Sequence, residues 1–235
     1  MTGYRDPYAR LVLAAMPGEA KVGLTLGFVR TFAVPEIAAV LHATGRMTGR
    51  PADRAKATGA AMFTLIGLGP HSPEGRAVVA GLRSVHDRPG ITPDLMLYVL
   101  ACFTVCPLAF VDAHGPRPST PEERTAALAF HRELADALDL PEPPGADLAG
   151  VAAWMRAWEA DRFAPSAEGR ELWRATRGLL AARLPAPLAP LGPALAAALL
   201  DAPLRSALGV RGPAAALRAP LALALRVRTR RRPAV

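Results

Sequence analysis

The segment from residue 92 to residue 111 constrains the fold more than any other part of the chain. It opens with Thr92-Pro-Asp-Leu, which is typical of a helix start, and its apolar residues fall on every side of a helix. A helix that is apolar all round must be buried all round, so we expect this segment to be the central helix of the core. We also expect a kink at Pro107, because the proline ring removes one hydrogen bond of the helix.

The rest of the chain also has the spacing of apolar residues that is typical of helices, and no alternation typical of strands. Two overlapping capping boxes, Ser119 with Glu122 and Thr120 with Glu123, mark one helix start. We predict further helices over 19–31, 35–45, 50–68, 72–86, 119–139, 147–162 and 166–183, with short helices from residue 184 onward. The sequence therefore predicts an all-α protein with a single multi-helix domain over 1–217 and a basic C-terminal tail over 218–235.

The positive charge is concentrated at the C-terminus. The chain has 28 basic and 20 acidic residues, a net charge of +8, but every acidic residue and 20 of the basic ones precede residue 202. The eight remaining basic residues are arginines between Arg205 and Arg232. Because the body is formally neutral, we expect no nucleic-acid partner. A basic tail can contact an anionic membrane, a nucleic acid or solvent alone, and we favour the membrane and the solvated end.

No secretory signal is visible, because the early apolar run from Leu11 to Met16 is short and follows an acidic residue. No uninterrupted apolar run reaches the roughly 18–20 residues of a membrane span. We therefore expect a cytoplasmic protein, with peripheral contact to the inner face of the membrane through the tail as an option.

Cysteines and histidines limit the kinds of metal site. Two cysteines exclude a four-thiolate site, and Cys102 and Cys106 lie four residues apart on the central helix, where we interpret them as small core residues. The five histidines do not share ligand spacing on one helix, which argues against a multi-histidine centre; they are His42, His71, His86, His114 and His131. A heme needs only one protein ligand, so a single histidine can suffice.

The residues alone leave two interpretations open for His86 and two for the pair Arg54 and Thr58. His86 is either a helix-end histidine placed against the helix dipole or a ligand. Arg54 and Thr58 share one helix face, and they are either a solvated arginine with a threonine bonded to its own turn or a pair that faces a pocket.

An ordered set of motifs resembles the family that unites rubber oxygenases with the fungal MpaB-type oxygenases, over nearly the whole chain. The motifs are Arg54-Ala-Lys-Ala-Thr58, Gly75-Arg76, Leu82-Arg-Ser-Val-His86, Leu97-Tyr-Val-Leu-Ala-Cys-Phe103, Arg117-Pro-Ser-Thr-Pro-Glu-Glu123, Trp158-Glu159 and Ala202-Pro-Leu-Arg-Ser-Ala-Leu-Gly209.

The resemblance implies an all-α fold around a buried heme b, with His86 as the axial iron ligand and with Arg54 and Thr58 at the pocket. In rubber-cleaving members a lysine directly precedes that threonine. Here Ala57 stands at that position and Lys56 lies one residue earlier, about 100° round the helix. The MpaB-like branch is therefore the closer resemblance, and rubber is not the expected substrate.

The implied activity uses dioxygen to cleave a carbon–carbon double bond in an isoprenoid or other apolar substrate. Arg54 is expected to hold a heme propionate or to order the pocket, with support from Thr58. No general base is assignable, and His71, His114 and His131 remain unplaced alternatives. Two other functions stay open, namely a non-catalytic heme carrier or sensor of the same fold and a cofactor-free helical interaction protein.

Overall fold

A computed structural model describes residues 6–181 and 192–212. The described residues are helical nearly throughout and contain no strand, which confirms the all-α prediction. The helices are α1 (Pro7–Arg10), α2 (Pro17–Arg30), α3 (Pro35–Ala43), α4 (Arg46–Gly49), α5 (Pro51–Leu68), α6 (Pro73–His86), α7 (Pro93–His114), α8 (Pro121–Ala137), α9 (Leu148–Arg162), α10 (Ala167–Ala181), α11 (Gly192–Ala198) and α12 (Ala202–Leu208). The predicted short helices over 184–191 and the basic tail over 218–235 lie outside the described residues.

The central helix of the prediction is α7, which packs against α2, α8 and α9. Its contact with α2 is close because two glycines of α2 face the α7 backbone. A Cβ atom on Gly23 would lie 2.5 Å from the Cα atom of Pro107, and one on Gly27 would lie 2.6 Å from the carbonyl oxygen of Cys102. Pro107 lies inside an unbroken helix, and the kink stays a prediction.

Among the described residues, α7 is long and apolar enough to cross a membrane, with a mean hydropathy of 2.0, although the sequence offered no uninterrupted apolar run of that length. However, 78% of that window is buried inside the protein, as it is in the core helix of a soluble domain. Pro7–Ala15 and Pro17–Ala33 pass the same test only as a pair, and they are bent by 102° at their junction.

The N-terminal helix was not predicted, because we interpreted residues 11–16 only as a short apolar run. Asp6 caps α1 by accepting a hydrogen bond from the N–H of Ala9 at 2.8 Å, and α1 continues into a π-helical segment over Leu11–Ala15. Tyr8 is fully buried in this region, and its ring contacts those of Phe130 and His131. This segment therefore closes one side of the core.

Helices α5 and α6 form an antiparallel hairpin around a tight turn. Gly69 has a positive φ of 81°, and Ser72 caps α6 by accepting a hydrogen bond from the N–H of Gly75 at 2.9 Å. A Cβ atom on Gly75 would lie 1.9 Å from the carbonyl oxygen of Gly69, so only glycine allows the two chain segments to approach this closely.

One of the two predicted capping boxes is correct. Thr120 and Glu123 exchange the two hydrogen bonds of a capping box at the start of α8. The predicted box of Ser119 with Glu122 is wrong, because Ser119 precedes the helix and donates hydrogen bonds from its N–H and its hydroxyl group to Asp112 at 2.7 Å. Ser119 thereby ties the start of α8 to the last turn of α7.

Candidate functional site

The α5–α6 hairpin brings together two of the three residues predicted for the site. Arg54 and His86 lie at matching distances from the turn, so the antiparallel packing of the two helices places them opposite each other. They are close enough for the charge of Arg54 to lower the pKa of His86. Thr58 lies one turn along α5 from Arg54 and is hydrogen-bonded to it.

His86 has the tautomer that a metal ligand requires. It is the last residue of α6, it is half-buried, and its Nδ1–H donates a hydrogen bond to the carbonyl oxygen of Leu82 at 2.7 Å. In a neutral imidazole the lone pair is then on Nε2. A hydrogen bond from one ring nitrogen to a backbone carbonyl is the usual way in which a protein orients a histidine ligand.

The electrostatic surroundings favour the neutral form of this imidazole. Burial lowers the pKa of His86, and the positive charges of Arg54 and Arg88 lower it further, against the opposing effect of the hydrogen bond to Leu82. Because only the neutral ring can bind a metal, these surroundings favour ligation near pH 7.

Arg54 is a half-buried cation that has no acidic partner within the described part of the chain. Burial lowers its pKa, and the charge of Arg46 lowers it further. Its guanidinium donates a hydrogen bond to the hydroxyl oxygen of Thr58, which in turn donates to the carbonyl oxygen of Arg54 at 3.0 Å. No carboxylate lies within ion-pair distance of Arg54 in residues 6–181 or 192–212. A bound anion would therefore balance this charge.

Ala57 and Lys56 are both exposed on α5, whereas Arg54 and Thr58 are half-buried. At 100° per residue Lys56 lies about 160° round α5 from both Arg54 and Thr58, so it is on the opposite side of the helix. Among the described contacts, none joins Lys56 to Arg54, Thr58 or His86.

The other four histidines are not part of this site, and three of them contact other side chains. His42 is 2.7 Å from Glu171, and the ring of His114 contacts Phe110. His131 is fully buried between Tyr8 and Phe130, its Nδ1–H donates to Ala127, and burial lowers its pKa to about 4. His71 is exposed in the α5–α6 turn.

The thiols behave as core residues, as predicted. Cys102 is fully buried, Cys106 lies one turn away, and both are free thiols. Burial raises the pKa of each, so both are protonated near neutral pH. Over the described ranges, no three histidine, cysteine or acidic side chains converge in a way that could hold a metal ion.

An open cavity of about 460 Å³ lies elsewhere, between α1, the π-helical segment and the start of α8. Its lining includes Arg10, Arg117 and Glu123, and the last two form a salt bridge of 2.7 Å. The cavity does not include Arg54, Thr58 or His86, so the buried heme pocket stays a prediction.

Sequence reasoning missed the two cations that accompany Arg54 and His86. Arg46 lies on α4 and Arg88 follows the end of α6, and both act electrostatically on the site. The sequence signal for Arg46 was its place in the series of arginines at 46, 50 and 54, and the packing of α4 against α5 brings its charge to act on Arg54.

Comparison with known proteins gives two findings. A family model described as "ER-bound oxygenase mpaB/B'/Rubber oxygenase, catalytic domain" matches residues 14–230. The "ER-bound oxygenase mpaB" of Penicillium roqueforti (strain FM164) is 28% identical over 197 residues, which cover 76% of this chain and 66% of that relative. The chain thus spans just under two thirds of the relative's length.

Proposed function

Because the chain belongs to the MpaB and rubber oxygenase family, we propose that it is an oxygenase that carries heme b, with His86 as the iron ligand. The observation that carries the proposal is the arrangement around His86. Its Nδ1–H is bonded to a backbone carbonyl group, which leaves the lone pair on Nε2, and its surroundings favour the neutral ring. A half-buried arginine with no acidic partner among the described residues lies opposite. A dianionic porphyrin with two propionates fits this combination of an imidazole and an unbalanced guanidinium.

Each residue has a defined task in this proposal. The carbonyl group of Leu82 fixes the tautomer and orientation of His86, and Nε2 would be the atom that holds the iron. Arg54 would bind a propionate, and Thr58 holds the guanidinium through its hydroxyl oxygen. The heme, when bound, supplies the binding and activation of dioxygen.

The reaction proposed is oxidative cleavage of a carbon–carbon double bond in an isoprenoid or other apolar chain. One molecule of dioxygen is consumed for each double bond, and each carbon of the broken bond becomes a carbonyl carbon, so no further reductant is needed. Support comes from the oxygenase names of the matching family and of the relative. Ala57, at the position of the lysine of rubber-cleaving members, favours a substrate other than rubber.

Membrane contact is proposed through the basic residues of 218–235. The relative is named as ER-bound, and a polyprenyl substrate partitions into membranes. Each arginine near an anionic surface adds roughly 1 kcal/mol of attraction.

Reconstitution with hemin tests the cofactor. The wild-type chain should take up heme and show a Soret band. His86→Ala should lose the protein-ligated spectrum, whereas His71→Ala, an exposed histidine of the same hairpin, should keep it. A wild-type protein that stays colourless, or a His86→Ala protein with an unchanged spectrum, would refute the proposal.

A second measurement tests Arg54. A hydrogen-bonded charge is worth about 1.5–3 kcal/mol, which corresponds to roughly a ten- to hundred-fold change in affinity. Because Arg54 is only half-buried, we expect the lower end, about tenfold weaker heme binding in Arg54→Ala. An equal loss in Lys56→Ala would show that general positive charge, not this guanidinium, is what matters.

A non-catalytic heme carrier or sensor is the second candidate, and the same alanine at position 57 favours it. Analysis of the products from a short polyprenyl substrate under dioxygen separates the two. An oxygenase forms two carbonyl fragments, while a carrier binds heme and forms none.

A further inference from the structure

Helix α6, which carries His86, is held only lightly by apolar contacts. Gly75 and Val79 are its buried residues, and both lie in its first half. In the last turn Leu82 is half-buried, and Val85, next to His86, is 41% exposed. Helix ends fray where packing is weak, so an additional contact is needed to hold the last turn of α6 in one position.

Arg83 makes that contact, with three of its nitrogen atoms. Nε and Nη2 donate hydrogen bonds to the carbonyl oxygen of Ala137 at 2.9 and 2.7 Å. Nη1 lies 2.8 Å from Oδ2 of Asp139. The guanidinium thus joins the last turn of α6 to the C-terminus of α8.

The carbonyl group that Arg83 binds lacks a helical donor. Within a longer helix the oxygen of Ala137 would accept from the N–H of residue 141, but residue 141 is a proline and has no N–H. An arginine that caps such a carbonyl also interacts favourably with the negative end of the helix dipole. The contact therefore gives a carbonyl group at the end of α8 its hydrogen-bond donor and also holds the last turn of α6.

The backbone at Asp139 supports the same contact. Asp139 has a φ of +55°, and among the described residues it is the one non-glycine residue with a positive φ. Glycine is the residue that adopts such a conformation after a helix with the least strain. Here an aspartate occupies it, and its carboxylate pairs with Arg83.

We propose that Arg83 is a positioning residue for His86. It lies one turn before His86 on α6, so its bonds to Ala137 and Asp139 fix the turn from which the imidazole projects. In residues 82–86 as described, no other side chain forms a hydrogen bond or ion pair with another helix. This inference rests on the proposed ligation of heme by His86.

The test compares Arg83→Ala and Arg83→Lys with Arg76→Ala in the full chain. Arg76 is an exposed arginine of the same helix, and among the described residues its side chain bonds only to the carbonyl group of His71 in the adjacent turn. Two quantities are measured: amide hydrogen exchange over residues 79–86 without heme, and the rate at which hemin-loaded protein releases heme to an apoglobin scavenger.

In Arg83→Ala we expect exchange of the last turn of α6 and heme release to be faster by about threefold to tenfold, because the contact is largely exposed. The Soret and electron paramagnetic resonance spectra should show a weakened imidazole ligand, and free imidazole should restore them. Arg83→Lys should be intermediate, because lysine cannot make the forked contact. Arg76→Ala should match the wild type.

The outcomes are distinguishable. If the wild type binds no heme, the proposed function fails and this inference fails with it. If the wild type binds heme but Arg83→Ala releases it no faster than Arg76→Ala does, only the positioning role is refuted. Faster exchange with unchanged heme release and spectra would likewise refute it, because Arg83 would then stabilise α6 without affecting His86.

Discussion

Replacement of Glu159 by alanine should destabilise the fold more than any loss of a surface charge. Glu159 is 4% exposed and joins three helices. Arg30 of α2 donates two hydrogen bonds to its carboxylate, at 2.7 and 2.5 Å, and the hydroxyl group of Tyr98 on α7 donates a third at 2.9 Å. Arg30 also pairs with Asp201 at the start of α12.

The expected loss of stability follows from the charge of Arg30, which the substitution leaves without its buried partner. Removal of one partner of a buried ion pair costs about 3–5 kcal/mol, because the other charge stays buried and uncompensated. Arg30 keeps Asp201, whose side chain is 46% exposed, so we expect the lower part of that range, about 3 kcal/mol. For a chain of this length that corresponds to a decrease in the melting temperature of roughly 6–12 °C.

Urea unfolding, followed by circular dichroism, measures the free energy of unfolding. Glu36→Ala is the matched control, because the carboxylate of Glu36 lies 3.8 Å from Arg162 and both side chains are about half exposed. That variant should lose less than about 1 kcal/mol. Glu159→Gln keeps the shape and part of the hydrogen bonding, so it should lie between the two. If Glu159→Ala were no less stable than Glu36→Ala, the buried pair would not contribute as we argue.

Three further perturbations have defined outcomes. Gly27→Ala should lower the free energy of unfolding in urea by about 1–3 kcal/mol or more, because its Cβ would lie 2.6 Å from the carbonyl oxygen of Cys102. An unchanged urea midpoint would contradict the close packing of α2 on α7. Burial lowers the pKa of His131 from 6.5 to about 4, so the unfolded chain binds more protons than the folded one below pH 6.5. The free energy of unfolding of the wild type should therefore fall by about 2 kcal/mol between pH 7 and pH 5. In His131→Leu it should fall by less over the same interval. Thr120→Ala should lower the free energy of unfolding by about 1 kcal/mol, whereas Thr120→Ser keeps the hydroxyl group that caps α8 and should lower it little. Equal losses of stability in the two variants would show that the hydroxyl group does not stabilise the start of α8.

Much of the fold was predictable because helix signals are local. Prolines at the first helical position, the capping threonines Thr92 and Thr120, and the all-round apolar pattern after Thr92 placed the long helices within a few residues of where they lie. The failures also have local causes. Ser119 resembles a helix cap in sequence but bonds to Asp112, and the first helix continues into a π-helical segment for which no sequence pattern was available.

The site was predictable in part. The resemblance named Arg54, Thr58 and His86, and the structure brings Arg54 and His86 together while it bonds Thr58 to Arg54. Their roles toward heme stay predictions. Arg83 belonged to a quoted motif, but nothing in the motif indicated that its partner is the end of α8.

The sequence by itself determined which segments are helical and that the segment after Thr92 is buried, because both depend on residues within a few turns of each other. Only the tertiary structure decided which helix ends meet. Arg30 and Glu159 are 129 residues apart, and Arg83 and Ala137 are 54 apart, yet each pair is in hydrogen-bond contact. Such pairs depend on how the helices pack, and the local pattern around either residue carries no information about its partner.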